Sequence, residues 1–224
     1  MLSERQEQIL ESLVAEYINL AQPVSSQYLE ETYDFAVSPA TIRNELVLIS
    51  EKGYLAQPHT SSGRVPTDKG YRFFVDKLLG KREETAGARF CFAVQDPAFM
   101  LREAARELAL ASSLVAAAAW GDFVWKEGWR ELFLQPEFQN TQVLLDFTRF
   151  VDDFEKNLSD FSVHDAVHVS IGRENRFSRV KDFSIMVRVC EVPGKERFTV
   201  ALLGPRRMAY DKNIQLLDSF HGSG

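Results

Sequence analysis

Apolar residues recur at helical spacing through the first eighty positions of the chain. Ser3 and Gln6 predict a capping box at the start of a first helix. Ser25 predicts the N-cap of a second, shorter helix that ends at about Thr32. The apolar stripe of the first helix consists of Leu10, Leu13, Val14 and Tyr17.

A third helix is predicted to begin at the N-cap Ser38 and to end before Gly53. Pro39 suits its first turn, because the missing N–H costs nothing there. The helix turns one apolar face to the core, formed by Ile42, Leu46 and Ile49. The positions opposite that face or flanking it are Ala40, Thr41, Arg43, Asn44 and Glu51.

A short hairpin is predicted after this helix, with strands at 54–58 and 64–66 and a tip at 59–63. Thr67 then caps a fourth helix. Three helices with tight connections followed by a hairpin are typical of a winged helix-turn-helix, whose third helix enters the major groove of DNA.

The rest of the chain predicts a polar linker at 80–89 and then a domain of segregated helices and strands over 90–224. This pattern is typical of an α+β fold with an antiparallel sheet. The predicted strands are 90–94, 114–120, 123–125, 166–171, 183–191 and 197–203, with a turn at 193–196 between the last two. The predicted helices are 96–111, 129–133, 209–220 and one capped by Thr141 that extends to about residue 158.

The net charge of −6 argues at first against a nucleic-acid partner, but its distribution changes the picture. Residues 1–37 carry one basic and seven acidic side chains, whereas residues 38–82 carry eight basic and four acidic ones. The remaining residues carry 17 basic and 21 acidic groups. Positive charge is thus concentrated in the third helix, the hairpin and the segment after them. An ordinary mixed surface is the alternative interpretation.

Other features exclude several classes of site. Cys91 and Cys190 have no partner at metal-ligand spacing and are expected to be reduced thiols. His164 and His168 lack the further ligands of a metal site. The sequence has no nucleophile with a base at a recognisable spacing and no phosphate loop, so neither an enzyme nor a cofactor is expected. Without an apolar run of membrane-span length or a signal peptide, we expect a cytoplasmic protein with no membrane partner.

Several sequence runs resemble the HrcA family of bacterial heat-inducible transcription repressors. SPATIRNEL and SSGRVPTDKGYRFFVD resemble its N-terminal domain, and LFLQPEF, IGRENRF and LLGPRRMAYDKNIQLLDSF its C-terminal GAF-like part. The resemblance implies a winged-helix DNA-binding domain at 1–79 and a GAF-like regulatory or dimerisation domain at 90–224. The second domain is shortened, because residues 86–124 stand where family members usually carry a much longer region used for dimerisation.

The function implied by the resemblance is repression of chaperone genes, through a homodimer that binds an inverted-repeat operator and is released on heat stress. It also implies help from the chaperonin in reaching the active state. Two copies are required because one winged helix reads only one half-site. We expect the homodimer to form through the C-terminal domain or through an exposed apolar stretch at 114–125.

By position in the motifs, the recognition helix would include Ser38, Thr41, Arg43 and Asn44, and the wing Ser61, Ser62, Gly63 and Arg64. Arg pairs bidentately with guanine and Asn with adenine, so Arg43 and Asn44 are the candidate base readers. The candidate phosphate contacts are Ser38, Thr41, Ser62, Arg64 and Lys69. A packing or helix-surface role is the alternative for Arg43 and Asn44.

Two polar loops in the C-terminal domain leave another function open. One contains Arg173, Glu174 and Asn175 and the other contains Arg207. They are candidates for the lining of a small-ligand pocket, although solvated turns are the simpler interpretation. The alternatives to an operator-binding repressor are therefore a ligand-sensing regulator and a winged-helix protein-interaction module without specific DNA binding.

Overall fold

The computed structural model describes residues 1–59, 62–81, 96–161, 166–192 and 196–220. The chain divides into two compact units, Met1–Arg82 and Glu83–Gly224. Gly80, the first residue of the predicted linker, is still helical. The sequence predictions that lie outside the described residues concern the rest of the linker from 82, the strand at 90–94, the turn at 193–195, Ser61, Cys91 and His164.

The N-terminal unit consists of four helices and a two-stranded antiparallel hairpin. Its helices are α1 (Glu4–Leu20), α2 (Ser26–Thr32), α3 (Pro39–Glu51) and α4 (Asp68–Gly80), and its strands are β1 (Leu55–Ala56) and β2 (Val65–Pro66). All four predicted N-caps are confirmed, at Ser3, Ser25, Ser38 and Thr67. Apolar residues from each of the four helices are buried together with Leu55 of the hairpin.

The hairpin is shorter than predicted, because Arg64 pairs with a different segment. The amide of Val24 donates to the carbonyl oxygen of Arg64 (2.9 Å), and the amide of Arg64 donates to the carbonyl oxygen of Val24 (2.8 Å). This isolated bridge ties the start of β2 to the α1–α2 connection, so that β1 and β2 pair over only two residues each.

The C-terminal unit has a five-stranded sheet in which every neighbouring pair is antiparallel, in the order β4-β3-β7-β6-β5. The predicted α+β fold is confirmed. Its strands are β3 (Val115–Trp120), β4 (Phe123–Glu127), β5 (His168–Ile171), β6 (Phe183–Val192) and β7 (Glu196–Pro205). Its helices are α5 (Pro97–Ser112), α6 (Trp129–Phe133), α7 (Thr141–Lys156) and α8 (Tyr210–Asp218).

Helices cover both faces of this sheet. Phe147 of α7 packs edge-on against Phe183 of β6, with ring centroids 4.9 Å apart. The hydroxyl groups of Tyr210 in α8 and Ser184 in β6 lie 3.1 Å apart. Because consecutive strand residues point to opposite faces, α7 and α8 lie on opposite sides of the sheet.

Two predictions for this unit are wrong. The N-cap of α7 is Asn140 rather than Thr141, because the Asn140 side chain accepts a hydrogen bond from the amide of Gln142 (2.8 Å). The apolar stretch at 114–125 is not an exposed surface, since β3 lies between β4 and β7 and its residues 115–119 are buried. Only Phe123 and Trp125 of β4 remain substantially exposed there among the large apolar residues, at 71% and 41%.

Within the parts of the chain that the structure describes, no helix combines the length and the apolar character needed to cross a membrane.

Candidate nucleic-acid interface

Helix α3 leaves its N-terminal turn and one face open to solvent. Ile42, Leu46 and Ile49 are buried, as their spacing predicts, while Arg43 and Asn44 are exposed. The Ser38 hydroxyl accepts a hydrogen bond from the amide of Thr41 (3.3 Å) and lies 3.0 Å from the Thr41 hydroxyl. The two candidate hydroxyl groups therefore lie side by side at the beginning of the helix.

Arg43 and Asn44 have no side-chain hydrogen-bond or ion-pair partner among residues 1–59 and 62–81. Glu30 and Glu31 of α2 line the same shallow groove as Arg43 without forming an ion pair with it in that part of the chain. The carboxylate pair that would have given Arg43 a packing role is therefore absent among the described residues. Both side chains are thus available to another molecule.

Glu45 is the acidic residue in the middle of α3, and it faces α1 rather than the exposed surface. The Gln6 side chain donates from Nε2 to Glu45 Oε2 (2.8 Å), and Arg5 lies 3.8 Å from the other carboxylate oxygen. Gln6 Oε1 also accepts from the Lys52 ammonium group (2.7 Å). Gln6 thereby connects α1 to both the middle and the end of α3. The sequence pattern identifies Gln6 as a capping residue but carries no signal for these distant contacts.

The turn of the hairpin is closed by Ser62. Its hydroxyl accepts from the amide of His59 (3.0 Å) and donates to the His59 carbonyl oxygen (2.8 Å). The Gln57 side chain donates to the carbonyl oxygen of Ser62 (2.9 Å). The candidate phosphate contact Ser62 therefore also shapes the tip, and its neighbour Ser61 lies outside the described residues.

Gly63 and Arg64 join the hairpin to the α1–α2 connection. A Cβ atom at Gly63 would overlap the carbonyl group of Val24 and would lie 2.8 Å from the carbonyl carbon of Pro23. The Arg64 side chain is half-buried, and its Nε is buried without a partner among the described residues. The structure thus gives Gly63 a packing role and shows a cation at the base of the hairpin that has no carboxylate partner in the part of the chain it describes.

Several of the basic residues concentrated at 38–82 are engaged within the unit. The Lys69 ammonium group donates to the Lys52 carbonyl oxygen (2.8 Å) and lies 4.2 Å from the centroid of the Tyr54 ring. Lys77 forms ion pairs with Glu7 and Glu11 of α1, which raise its pKa above the ordinary value. Lys81 pairs with Glu11 (3.3 Å). Among the described residues, the positive charge that remains without a carboxylate partner therefore includes Arg43 and Arg64 but not Lys77 and Lys81 at the end of α4.

Comparison with known proteins assigns the chain to a family. Residues 72–214, more than half of the chain, match the family model for the HrcA protein C terminal domain. The chain belongs to the HrcA family.

The curated HrcA relatives match part of this chain's length. The proteins from Beutenbergia cavernae and Streptomyces avermitilis, each named heat-inducible transcription repressor HrcA, are 54% and 49% identical over 89 residues. Each match covers 40% of this chain but only 25% and 26% of the respective relative. A longer match, to the protein of that name from Parafrankia sp., is 40% identical over 125 residues and covers 54% of this chain and 37% of that relative.

A solved structure has the same fold. The crystal structure of a hypothetical protein aligns with a TM-score of 0.77 and 20% identity, covering 98% of this chain and 97% of that one. At this identity the likeness bears on the fold of the HrcA-family chain alone.

The candidate ligand loops of this HrcA-family chain use most of their polar groups internally. Glu174 accepts from the amide of Ile171 (2.9 Å), and Asn175 is buried with its amide group donating to the carbonyl oxygens of Gly172 (3.0 Å) and Phe183 (2.8 Å). Arg207 forms an ion pair with Glu137. Arg173 is exposed. These contacts are typical of loops that stabilise the end of a sheet.

Proposed function

We propose that this HrcA-family chain is a DNA-binding transcriptional repressor of heat-shock genes, with its N-terminal unit acting as a winged helix-turn-helix. The observation that carries the proposal is the exposed, unpaired state of Arg43 and Asn44 on α3, beside a Glu45 that is turned inward onto α1. The names of the relatives agree with it. Since the chain spans between about a quarter and two fifths of the length of those relatives, the activity of the whole proteins enters here as a proposal.

In this proposal α3 lies in the major groove, where Arg43 pairs with guanine and Asn44 with adenine. Ser38 and Thr41 contact phosphate groups at the start of the helix. The hairpin is the wing, which includes residues 61–64, and the further phosphate contacts come from Ser62, Arg64 and Lys69. Phosphate contacts set the register of the helix, whereas Arg43 and Asn44 supply sequence specificity.

An inverted-repeat operator requires a second copy of the chain related by a two-fold axis. We assign dimerisation to the C-terminal GAF-like unit, whose edge strand β4 exposes Phe123 and Trp125. An exposed apolar edge strand is prone to pair with another chain. The cytoplasmic dimer would block transcription by occupying the operator, and heating would release it by unfolding or dissociation, with the chaperonin assisting return to the active state.

The experiment is a gel shift with an inverted-repeat duplex taken from upstream of a chaperone operon. We expect Arg43→Ala and Asn44→Ala each to weaken binding by about 5- to 150-fold, the value of one bidentate base contact. Arg149→Ala is the matched control, because it removes the same charge as Arg43→Ala from an exposed position on α7. Equal binding by the wild type and both α3 variants would contradict the proposal.

The burial of the Asn213 side chain without hydrogen-bond partners among the described residues favours a ligand-sensing regulator. This α8 residue is 1% exposed, and neither Nδ2 nor Oδ1 of its side chain has a partner among the described residues. A buried polar ligand would satisfy both atoms. Thermal-shift screening with metabolites tests this function. A stabilising compound whose effect disappears in Asn213→Leu would support it, and the absence of any such compound would count against it.

A further inference from the structure

Helix α3 carries an apolar side chain on the face that also presents Arg43 and Asn44. Val47 is 39% exposed. A β-branched residue at an exposed helix position contributes little to helix stability, because its side chain loses rotamer freedom there. Single exposed apolar residues are common on protein surfaces, so exposure alone implies nothing. The position of Val47 is what makes it informative.

Ala40, Arg43, Asn44 and Val47 are spaced i, i+3, i+4 and i+7, which places them along one face of the helix. The base-contacting residues of the homeodomain recognition helix have this spacing as well. Seven residues span about 10.5 Å at 1.5 Å per residue, or about three base-pair steps. A helix that brings Arg43 and Asn44 to base edges therefore brings Val47 within the same short stretch of the groove.

The chemistry of the groove restricts what Val47 can recognise. Its side chain has no hydrogen-bond donor or acceptor, and the C5-methyl group of thymine is the apolar feature that the bases present in the major groove. We infer that Val47 contacts a thymine methyl group, so that each operator half-site has a thymine within about three base pairs of the bases read by Arg43 and Asn44. The inference rests on the proposed function and adds a specificity-determining residue to it.

Replacement of thymine by deoxyuridine tests the inference, because uracil lacks only the methyl group. Single thymines of a bound inverted-repeat duplex are replaced in both half-sites, and dissociation constants are measured by fluorescence anisotropy. We expect one position at which the replacement weakens wild-type binding about fourfold per half-site. This factor corresponds to the free energy gained by burying one methyl group. Val47→Ala is expected to bind the thymine duplex more weakly by a similar factor and to bind both duplexes equally.

Leu48→Ala is the matched control. Leu48 is 44% exposed on the same helix but is rotated by about 100° from Val47, so this variant should retain the discrimination between thymine and uracil. Loss of discrimination in Leu48→Ala and not in Val47→Ala would overturn the inference. Tight wild-type binding that is insensitive to deoxyuridine at every position would also overturn it while leaving the proposed function intact. No binding of the unsubstituted duplex would contradict both.

Discussion

Position 63 favours glycine, because the backbone of another segment occupies the space that a side chain would fill. Gly63→Ala places a Cβ against the Val24 carbonyl group, and the Val24–Arg64 bridge prevents the two segments from separating without loss of hydrogen bonds. We expect the free energy of unfolding to fall by about 1–3 kcal/mol, as in other overpacked sites. Thermal denaturation of the purified chain measures this.

Gly80→Ala is the comparison for that substitution. Gly80 lies in the last turn of α4, and nothing lies within 4 Å of the Cβ that it would gain. The variant should be as stable as the wild type or slightly more stable, because alanine restricts the unfolded chain. If the Gly63→Ala and Gly80→Ala variants had the same melting temperature, the close approach of Gly63 to Val24 would not contribute to stability.

Tyr33 reports on the contact between α1 and the segment before α3. Its hydroxyl donates to Glu16 (2.7 Å), and burial followed by this hydrogen bond raises its pKa from 10.0 to about 12. Between pH 10 and 12 the unfolded state releases a proton that the folded state retains. The stabilising contribution of this phenol is therefore complete below about pH 10 and is lost as the pH rises to about 12.

An alkaline titration followed by tyrosinate absorbance checks the value. The difference between the wild-type and Tyr33→Phe curves should have its midpoint at about pH 12, the raised pKa of this phenol. A midpoint near 10, the ordinary pKa of tyrosine, would show that Tyr33 is not held by Glu16.

At the scale of elements, Gln6 fixes α3 against α1. Gln6→Glu keeps a side chain that can complete the capping box, but it replaces the donor to Glu45 with a second carboxylate. We expect the unfolding free energy to fall by about 1–3 kcal/mol, because Glu45 loses its donor and faces a second carboxylate, a repulsion that the Lys52 ammonium group offsets only in part. Gln8→Glu adds the same charge at an exposed position of α1 and should have little effect. Equal melting temperatures of the two variants would contradict the role of Gln6.

Helix α8 is held on β6 by a buried ion pair. Arg188 donates to Asp218 (3.0 Å) and to the carbonyl oxygen of Phe220 (2.9 Å), and both charged side chains are largely buried. Asp218→Asn leaves a buried arginine without its counter-ion, and we expect a loss of about 3–5 kcal/mol in denaturant unfolding. Asp146→Asn breaks the exposed pair with Arg149 and should cost less than about 1 kcal/mol. Similar losses in the two variants would contradict this account.

The elements that were predictable are those specified by local chemistry. The four N-caps of the first unit follow from a side chain that accepts from the amide three residues later, so a short sequence window contains all the information. The length of the hairpin was not predictable, because the pairing of Arg64 with Val24 joins residues forty positions apart. The burial of β3 was missed for the same reason, since its neighbour β7 lies some eighty residues away along the chain.

For the molecule as a whole, the sequence predicts which segment forms the candidate interface but not which of its basic side chains pair with carboxylates. The excess of basic residues at 38–82 suggests a broad cationic surface. The structure divides it into Lys77 and Lys81, which neutralise acids of α1, and Arg43 and Arg64, which have no carboxylate partner among the described residues. A count of charges along the sequence does not predict this division, because it depends on which helices contact each other in the fold.

The central claim is that Arg43 and Asn44 read bases of an operator, and competition binding tests it most directly. Fluorescence anisotropy compares an inverted-repeat duplex with a scrambled one, for the wild type and for the double variant Arg43→Ala/Asn44→Ala. We predict that the wild type prefers the inverted repeat, that the double variant binds both duplexes alike, and that the remaining affinity falls steeply with salt. A double variant that keeps the wild-type preference for the inverted repeat would contradict the claim.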